Sequence, residues 1–183
     1  MHRHVFATAA LALGAALAAQ PAAAQDVAGT RAVSFGIAGG ATLPVGDASD
    51  FYDTGFNLMG SINVQPAYMP VGARFDVMYH SLGGKDVGIF EAEDLNILAG
   101  NANVVLTVSN TGTVRPYVLG GVGIYNLDAG GSSESVTKFG LNGGGGIEFG
   151  VGGFNTFVEA RLHSIFTEDS KTNVVPVVFG IRF

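Results

Sequence analysis

Apolar and polar residues alternate along most of this chain. The clearest case is the last ten residues, where Val175, Val177, Phe179, Ile181 and Phe183 share one parity and the other parity is mixed. A period of two indicates a β-strand whose two faces meet different surroundings. The same pattern predicts eight strands, at residues 34–43, 56–68, 72–79, 95–108, 114–127, 137–151, 156–166 and 174–183.

The connections between these strands carry a second pattern. Short turns follow the second, fourth and sixth strands, and longer loops follow the first, third, fifth and seventh. This rhythm is typical of an all-β, eight-stranded antiparallel up-and-down transmembrane β-barrel, with short periplasmic turns and longer external loops. An even number of strands then places both termini in the periplasm.

A soluble lipocalin-like barrel is the alternative, because its strands also alternate, with the apolar face turned inward. Two features favour the membrane barrel. The polar faces hold mainly Gly, Asn and Ser, in a chain that is only 13% charged, whereas a water-facing exterior needs many charges. Aromatic residues of the apolar parity also gather near strand ends, as in interfacial girdles: Phe56, Tyr79, Phe139 and Phe166 at one end, and Tyr68, Phe149 and Phe183 at the other.

The first residues predict export. Met1 to Ala24 begins with basic residues, continues as an Ala/Leu run and ends in small residues, which is the pattern of a secretory signal peptide. Cleavage before Gln25 leaves one barrel domain, residues 25–183. The chain has no Cys, so no disulfide or thiolate metal site is expected. Its net charge of −6 argues against nucleic acid as a partner.

Six charged residues have the polar parity and are predicted to face the interior. Because isolated charges cost several kcal/mol in a low-dielectric interior, we expect them to pair in one network near the short turns. Eight strands enclose a space that side chains roughly fill, so this network would act as a plug rather than line an open pore. The six residues are Arg74, Asp76, Glu148, Glu159, Arg161 and Arg182.

The candidate catalytic pairs are His80–Ser81 and His163–Ser164. Neighbours on a strand point to opposite faces, so neither pair can form a dyad, and His163 is expected to join the interior polar set. We therefore predict no enzymatic activity, no cofactor and no metal. The acidic stretch Asp47, Asp50 and Asp53 could hold a divalent cation that bridges lipopolysaccharide phosphates, but its spacing does not match an EF-hand loop. Solvated loop carboxylates are the favoured interpretation.

The stretches FGIAGGATLPVGD (35–47) and RPYVLGGVGIYNL (115–127), together with the terminal Phe183, resemble the small outer-membrane β-barrel family of OmpA-like and opacity-type porins. The resemblance covers the mature chain and implies a barrel in the Gram-negative outer membrane, in contact with its lipid and lipopolysaccharide. It also implies that Phe183, with Phe179 and Ile181 beside it, is recognised by the barrel-assembly machinery.

Two hypotheses for function remain open. One is a non-enzymatic structural or surface-interaction role, in envelope integrity or in adhesion to an unknown extracellular ligand through the external loops. The other is porin-like transport of small molecules across the outer membrane.

Overall fold

The computed structural model describes residues 33–66, 69–85, 93–108, 112–130, 135–151, 153–167 and 171–183. They contain the eight strands β1 (Val33–Val45), β2 (Gly55–Val64), β3 (Val71–Leu82), β4 (Leu95–Thr107), β5 (Val114–Ala129), β6 (Ser135–Val151), β7 (Phe154–Phe166) and β8 (Lys171–Arg182), and one short helix, α1 (Ala48–Phe51). Every strand pairs antiparallel with its neighbours in the chain, and β1 pairs with β8 to close the barrel. The predicted fold class is confirmed.

The two ends of the barrel differ in their connections. We call the end where β1 joins β2 and β3 joins β4 the loop end, and the opposite end, with Val33 and Phe183, the turn end. The predicted signal peptide and Tyr68 lie outside the described residues, and the signal peptide stays a prediction. Among the described residues, no helix has the length and apolar character that a membrane crossing requires.

Several predicted strand boundaries are wrong. β3 continues to Leu82, so the loop predicted from His80 begins at Gly83, and β8 begins at Lys171 rather than Val174. β5 likewise ends at Ala129 and β6 begins at Ser135, so the last two loops are no longer than the turn between β4 and β5. A strand persists while a neighbour offers ladder partners, and this tertiary pairing overrides the polar composition from which a loop was predicted.

The direction of the side chains agrees with the prediction. Phe75 is 55% exposed on the outer wall, whereas Arg74 and Asp76, its neighbours on β3, are buried in the interior. On β6 and β8, Ile147 and Val177 are also exposed. The outer wall is therefore apolar and the interior carries the charges, which is the opposite of a lipocalin.

The closing strand contains one weak point. Phe183 and Phe35 exchange both backbone hydrogen bonds at 2.9 Å, so odd-numbered residues of β8 direct their backbone groups to β1 and even-numbered ones to β7. Pro176 therefore directs its nitrogen toward β7 but has no N–H to donate. The β7–β8 ladder accordingly pairs Ala160 with Val177 and resumes only at His163 with Val174.

Replacing Pro176 by valine should restore this missing donor. We expect the Pro176→Val barrel to be more stable by about 0.5–1.5 kcal/mol, the net contribution of one hydrogen bond. Urea unfolding of the refolded protein in phospholipid vesicles measures the change. Val178→Ala, at a buried inward position on the same strand, is the control and should lower stability instead. An unchanged midpoint for Pro176→Val would show that the gap in the ladder costs nothing.

Candidate functional site

Glycines at inward positions make room for the large side chains of the interior. A Cβ atom on Gly146 would lie 2.6 Å from Cζ of Tyr117, and one on Gly180 would lie 2.6 Å from Cζ of Phe157. A Cβ atom on Gly123 or on Gly140 would likewise lie 2.8 Å from the ring of Tyr125. The glycine content of β5 and β6 therefore has a specific use, because these strands must leave space for aromatic rings that cross the interior.

Four charged side chains connect opposite walls of the barrel. β3 and β7 lie four strands apart in the ring of eight, so their inward side chains face each other across the interior. Arg74 Nη2 lies 2.6 Å from Glu159 Oε2. Arg161 Nε lies 2.7 Å from Glu159 Oε1, and Arg161 Nη1 lies 3.0 Å from Asp76 Oδ2. All four residues are buried, so each charge depends on its partner for compensation.

A second group of ion pairs surrounds Glu148, nearer the turn end. Its carboxylate pairs with both Arg115 and Arg182. Tyr117 connects the two groups, because its hydroxyl donates a hydrogen bond of 2.6 Å to Glu159 and its ring lies 5.9 Å from Cζ of Arg182. We call the connected set the interior network: Arg74, Asp76, Arg115, Tyr117, Glu148, Glu159, Arg161 and Arg182.

Amide side chains extend the interior network toward the loop end. Asn101 and Asn103 each donate an Nδ2 hydrogen bond to the Asp76 carboxylate, at 2.8 and 2.9 Å. Asn101 Oδ1 in turn accepts a hydrogen bond of 3.0 Å from the Tyr125 hydroxyl. The same hydroxyl oxygen lies 2.9 Å from His163 Nδ1. Polar contacts therefore continue from the turn end to the middle of the barrel.

Two histidines lie next along this polar path, which continues from His80 through Thr42 to Asn57, whose Nδ2 donates a hydrogen bond of 2.9 Å to Thr42 Oγ1. His80 and His163 are both fully buried, with ring centroids 5.8 Å apart and planes tilted by 69°. His80 Nδ1 lies 2.9 Å from Thr42 Oγ1. Ser81 and Ser164 follow the histidines along their strands and point to the opposite face, so neither sequence pair forms a dyad. Each imidazole makes one hydrogen-bond contact through Nδ1, and its buried Nε2 has no partner among the described residues.

Beyond the histidines, toward the loop end, the interior becomes apolar. Large side chains from four strands pack there in one cluster, and Tyr52 from the first loop lies against it. Its members at this end include Leu82, Leu95, Ile97, Ile165 and Val174. The interior is thus filled by an apolar cap at the loop end and by the interior network at the turn end.

The first two loops are bound to each other above this cap. Tyr52 forms a β-bridge with Gly84. The backbone N–H of Lys85 donates a hydrogen bond of 2.9 Å to the carbonyl of Phe51, and its ammonium lies 3.6 Å from an Asp53 carboxylate oxygen. Phe51 is 62% exposed at the tip of α1. We call these five residues the loop platform.

The acidic stretch of the first loop does not gather its carboxylates around a common point. The Asp53 carboxylate is paired with Lys85, and Asp50 contacts Asp47 through its backbone N–H rather than its side chain. Within the described ranges, no group of three or more His, Asp or Glu side chains is arranged to hold a metal ion. This geometry offers the cation hypothesis no support.

The structure brings all six predicted interior charges into the interior network. Sequence reasoning missed the parts played by Tyr117, Tyr125 and His80, and did not include Arg115 among the interior charges. The parity of Tyr117 and Tyr125 on β5 is the same as that of Arg115, so extending the inward face of this strand would have found both. His80 was missed because it was assigned to a loop. Phe179 and Ile181 lie on the outer face of β8, and Phe183, which directly follows the strand, is also exposed.

Comparison with known proteins gives a consistent result. The family model for the outer membrane protein beta-barrel domain matches residues 9–183. Neisserial surface protein A (NspA) superposes with a TM-score of 0.62 at 16% identity, over 84% of this chain and 97% of that one. Ail of Yersinia pestis, in a phospholipid bilayer nanodisc, has a TM-score of 0.52 at 20% identity, over 84% and 100%. The outer membrane enzyme PagL has a TM-score of 0.50 at 16% identity, over 82% and 98%. No curated protein sequence matches the chain. At identities this low, the likeness to these proteins shows the fold alone. The same fold occurs both in surface proteins and in an enzyme.

Proposed function

The chain belongs to the outer membrane protein beta-barrel family and is a barrel of the bacterial outer membrane, and from this premise we propose that it is a non-enzymatic barrel with a structural and surface-interaction role. The observation that supports this role most strongly is the filled interior. Arg74 and Glu159 join opposite walls with no exposed side-chain surface, and the apolar cap lies above them. A barrel built in this way contributes a rigid, sealed body to the envelope.

We assign the loop end to the outside of the cell and the turn end, with both termini, to the periplasm. The two longest connections, after β1 and after β3, are both at the loop end, as expected for external loops. The loop platform then faces the surroundings of the cell, and it presents Phe51 on a segment that is tied down. Surface contacts would be made there, and lipid and lipopolysaccharide would surround the outer wall.

Conductance in planar bilayers tests the sealed barrel against the transport alternative. Wild-type protein, with folding verified by its shifted gel mobility, should give no steady openings, whereas a general diffusion porin in the same bilayer serves as the positive control. Steady ion-conducting openings of the wild type would overturn the structural role and support transport.

Binding to lipopolysaccharide and to immobilised matrix proteins, compared between wild type and Phe51→Ala, tests the surface role. Equal binding by both proteins would show that the loop platform plays no part in the surface-interaction role.

The geometry of β8 also supports an assembly signal at Phe179, Ile181 and Phe183. Phe179 and Ile181 lie on the lipid-facing side of the strand that closes the barrel, and Phe183, one residue beyond its end and hydrogen-bonded to Phe35, continues their spacing of two. We propose that the assembly machinery recognises this apolar row during insertion.

Phe183→Ala should therefore reduce the amount of folded barrel in the outer membrane several-fold. Phe139→Ala, which removes an aromatic ring of similar exposure from β6, is the matched control and should leave the amount near that of the wild type. Refolding of Phe183→Ala into detergent, where no machinery is present, should match the wild type. A refolding defect equal to the defect in cells would show that Phe183 acts through stability instead of recognition.

A further inference from the structure

We propose that a groove on the lipid-facing wall of the barrel binds one acyl chain of a membrane lipid. The groove is open along its length, crosses β8, β1, β2, β3 and β4, and has a volume of about 720 Å³. Its sides are formed by Ile37, Leu58, Val77, Tyr79, Phe179 and Ile181.

The groove exists because two outward positions in this wall are glycines. Gly39 pairs with Leu58 on β2 and with Phe179 on β8, so two large side chains stand on either side of a position that has none. Gly60 is opposite Ile37, and a Cβ atom placed on it would meet nothing within 4 Å. Phe179 is 60% exposed, so its ring forms a raised edge. The result is a glycine floor between apolar walls.

The chemistry of the lining selects a hydrocarbon occupant. The hydroxyl of Tyr79 already donates a hydrogen bond of 2.8 Å to Asn96 Oδ1, so it does not call for a polar ligand. The backbone of the floor is engaged in the β1–β2 and β1–β8 ladders. The groove opens on the face of the wall that lies in the bilayer core, where water is excluded. An unfilled depression there loses dispersion contacts, and a flexible acyl chain can supply them.

The position of the groove indicates which lipid chains can reach it. Leu58, Tyr79 and Leu98 lie three residues in from the loop end of their strands, whereas Phe179 lies the same distance from the turn end of β8. The groove therefore runs obliquely down the wall from the loop end. An acyl chain that enters from the leaflet at the loop end can lie along it. The inference is independent of the role proposed for the loop platform.

Photo-crosslinking in nanodiscs tests the proposal. The bilayer contains a trace of phospholipid with a diazirine on its acyl chain, and labelled residues are identified by mass spectrometry. In the wild type we expect labelling of Leu58, Val77 and Phe179 to exceed that of Val122 and Leu141, on the opposite side of the barrel, by about threefold. The factor is modest because neighbouring lipid tails are as apolar as the groove, so that only packing distinguishes them.

Two leucine variants make the test specific. Gly60→Leu should fill the groove and lower its labelling to the level of the opposite wall. Gly143→Leu is the matched control, because Gly143 also faces outward with its nearest neighbour 3.8 Å from a Cβ, but on β6, across the barrel from β2. It should leave labelling of the groove unchanged. Gel mobility confirms that all three proteins are folded.

Uniform labelling of the wild type, or groove labelling that survives Gly60→Leu, would overturn the proposal. A second copy of the barrel is the other possible occupant. If native mass spectrometry finds a dimer that Gly60→Leu abolishes, and groove labelling stays at the level of the opposite wall, the occupant is a second protomer and the acyl-chain site is refuted.

Discussion

Glu159→Ala is expected to lower the free energy of unfolding by about 3–5 kcal/mol, the cost of leaving buried charges without their partner. Glu159 is placed between two arginines, with Oε2 at 2.6 Å from Arg74 and Oε1 at 2.7 Å from Arg161. Glu159 also accepts a hydrogen bond from the Tyr117 hydroxyl. Removal of its carboxylate leaves Arg74 with no other ion-pair partner among the described residues, deep in the interior. Urea unfolding in phospholipid vesicles, followed by circular dichroism and by gel mobility, measures the loss.

Two further variants establish the cause. Asp50→Ala removes a carboxylate that is exposed on α1, and should change stability by no more than about 0.5 kcal/mol. The double variant Arg74→Met with Glu159→Leu removes both members of the pair, and should recover a large part of the loss, because apolar replacements of a buried ion pair are often close to neutral. A loss below about 1 kcal/mol for Glu159→Ala would mean that water reaches these arginines.

The second large effect is expected at a glycine. Gly146→Ala should destabilise the barrel by about 1–3 kcal/mol, the usual cost of overpacking a filled interior. The new Cβ would lie 2.6 Å from Cζ of Tyr117 and 2.6 Å from the carbonyl oxygen of Val158. The carbonyl belongs to the neighbouring strand and cannot move aside, and displacing the tyrosine ring would break its hydrogen bond to Glu159.

The run of four glycines on β6 supplies the control. Gly143 lies three residues before Gly146 on the same strand but faces lipid. The nearest atom to a Cβ added at Gly143 is 3.8 Å away. Gly143→Ala should leave stability unchanged or raise it by up to about 1 kcal/mol, because alanine loses less backbone entropy than glycine on folding. Equal effects of the two alanines in urea unfolding would show that inward and outward positions on β6 have been assigned incorrectly.

The residues of β3 show how far local pattern suffices. Arg74, Phe75 and Asp76 are consecutive, and the pleat sends the middle one outward and its neighbours inward whatever the rest of the chain does. The two faces of the strand meet unlike surroundings, lipid outside and a packed interior with buried charges inside. A shift of the strand register by one residue would exchange the two faces and would therefore cost too much free energy. For this reason the eight strands, their faces and the interior position of six charges could be predicted from alternation.

The ends of the strands could not be predicted in the same way. His80, Ser81 and Lys171 are residues that also occur in loops, and nothing in their neighbourhood along the chain indicates that the ladder continues through them. Pairing with β4 carries β3 on to Leu82, and pairing with β7 begins β8 at Lys171. Because the boundary is set by a partner strand, it depends on contacts that a local pattern does not contain.

The sequence by itself determined the architecture and the face on which each side chain lies, because a period of two is a property of neighbours in the chain. Only the tertiary structure decided which charges meet. Arg74 and Glu159 are separated by 85 residues, on opposite walls, and their contact depends on the stagger of all the strands between them. The same stagger aligned Gly39 with Leu58 and Phe179 to form the lipid-facing groove. Register between strands is a collective property of the closed sheet, and it assembles sites from residues that share only a parity in the sequence.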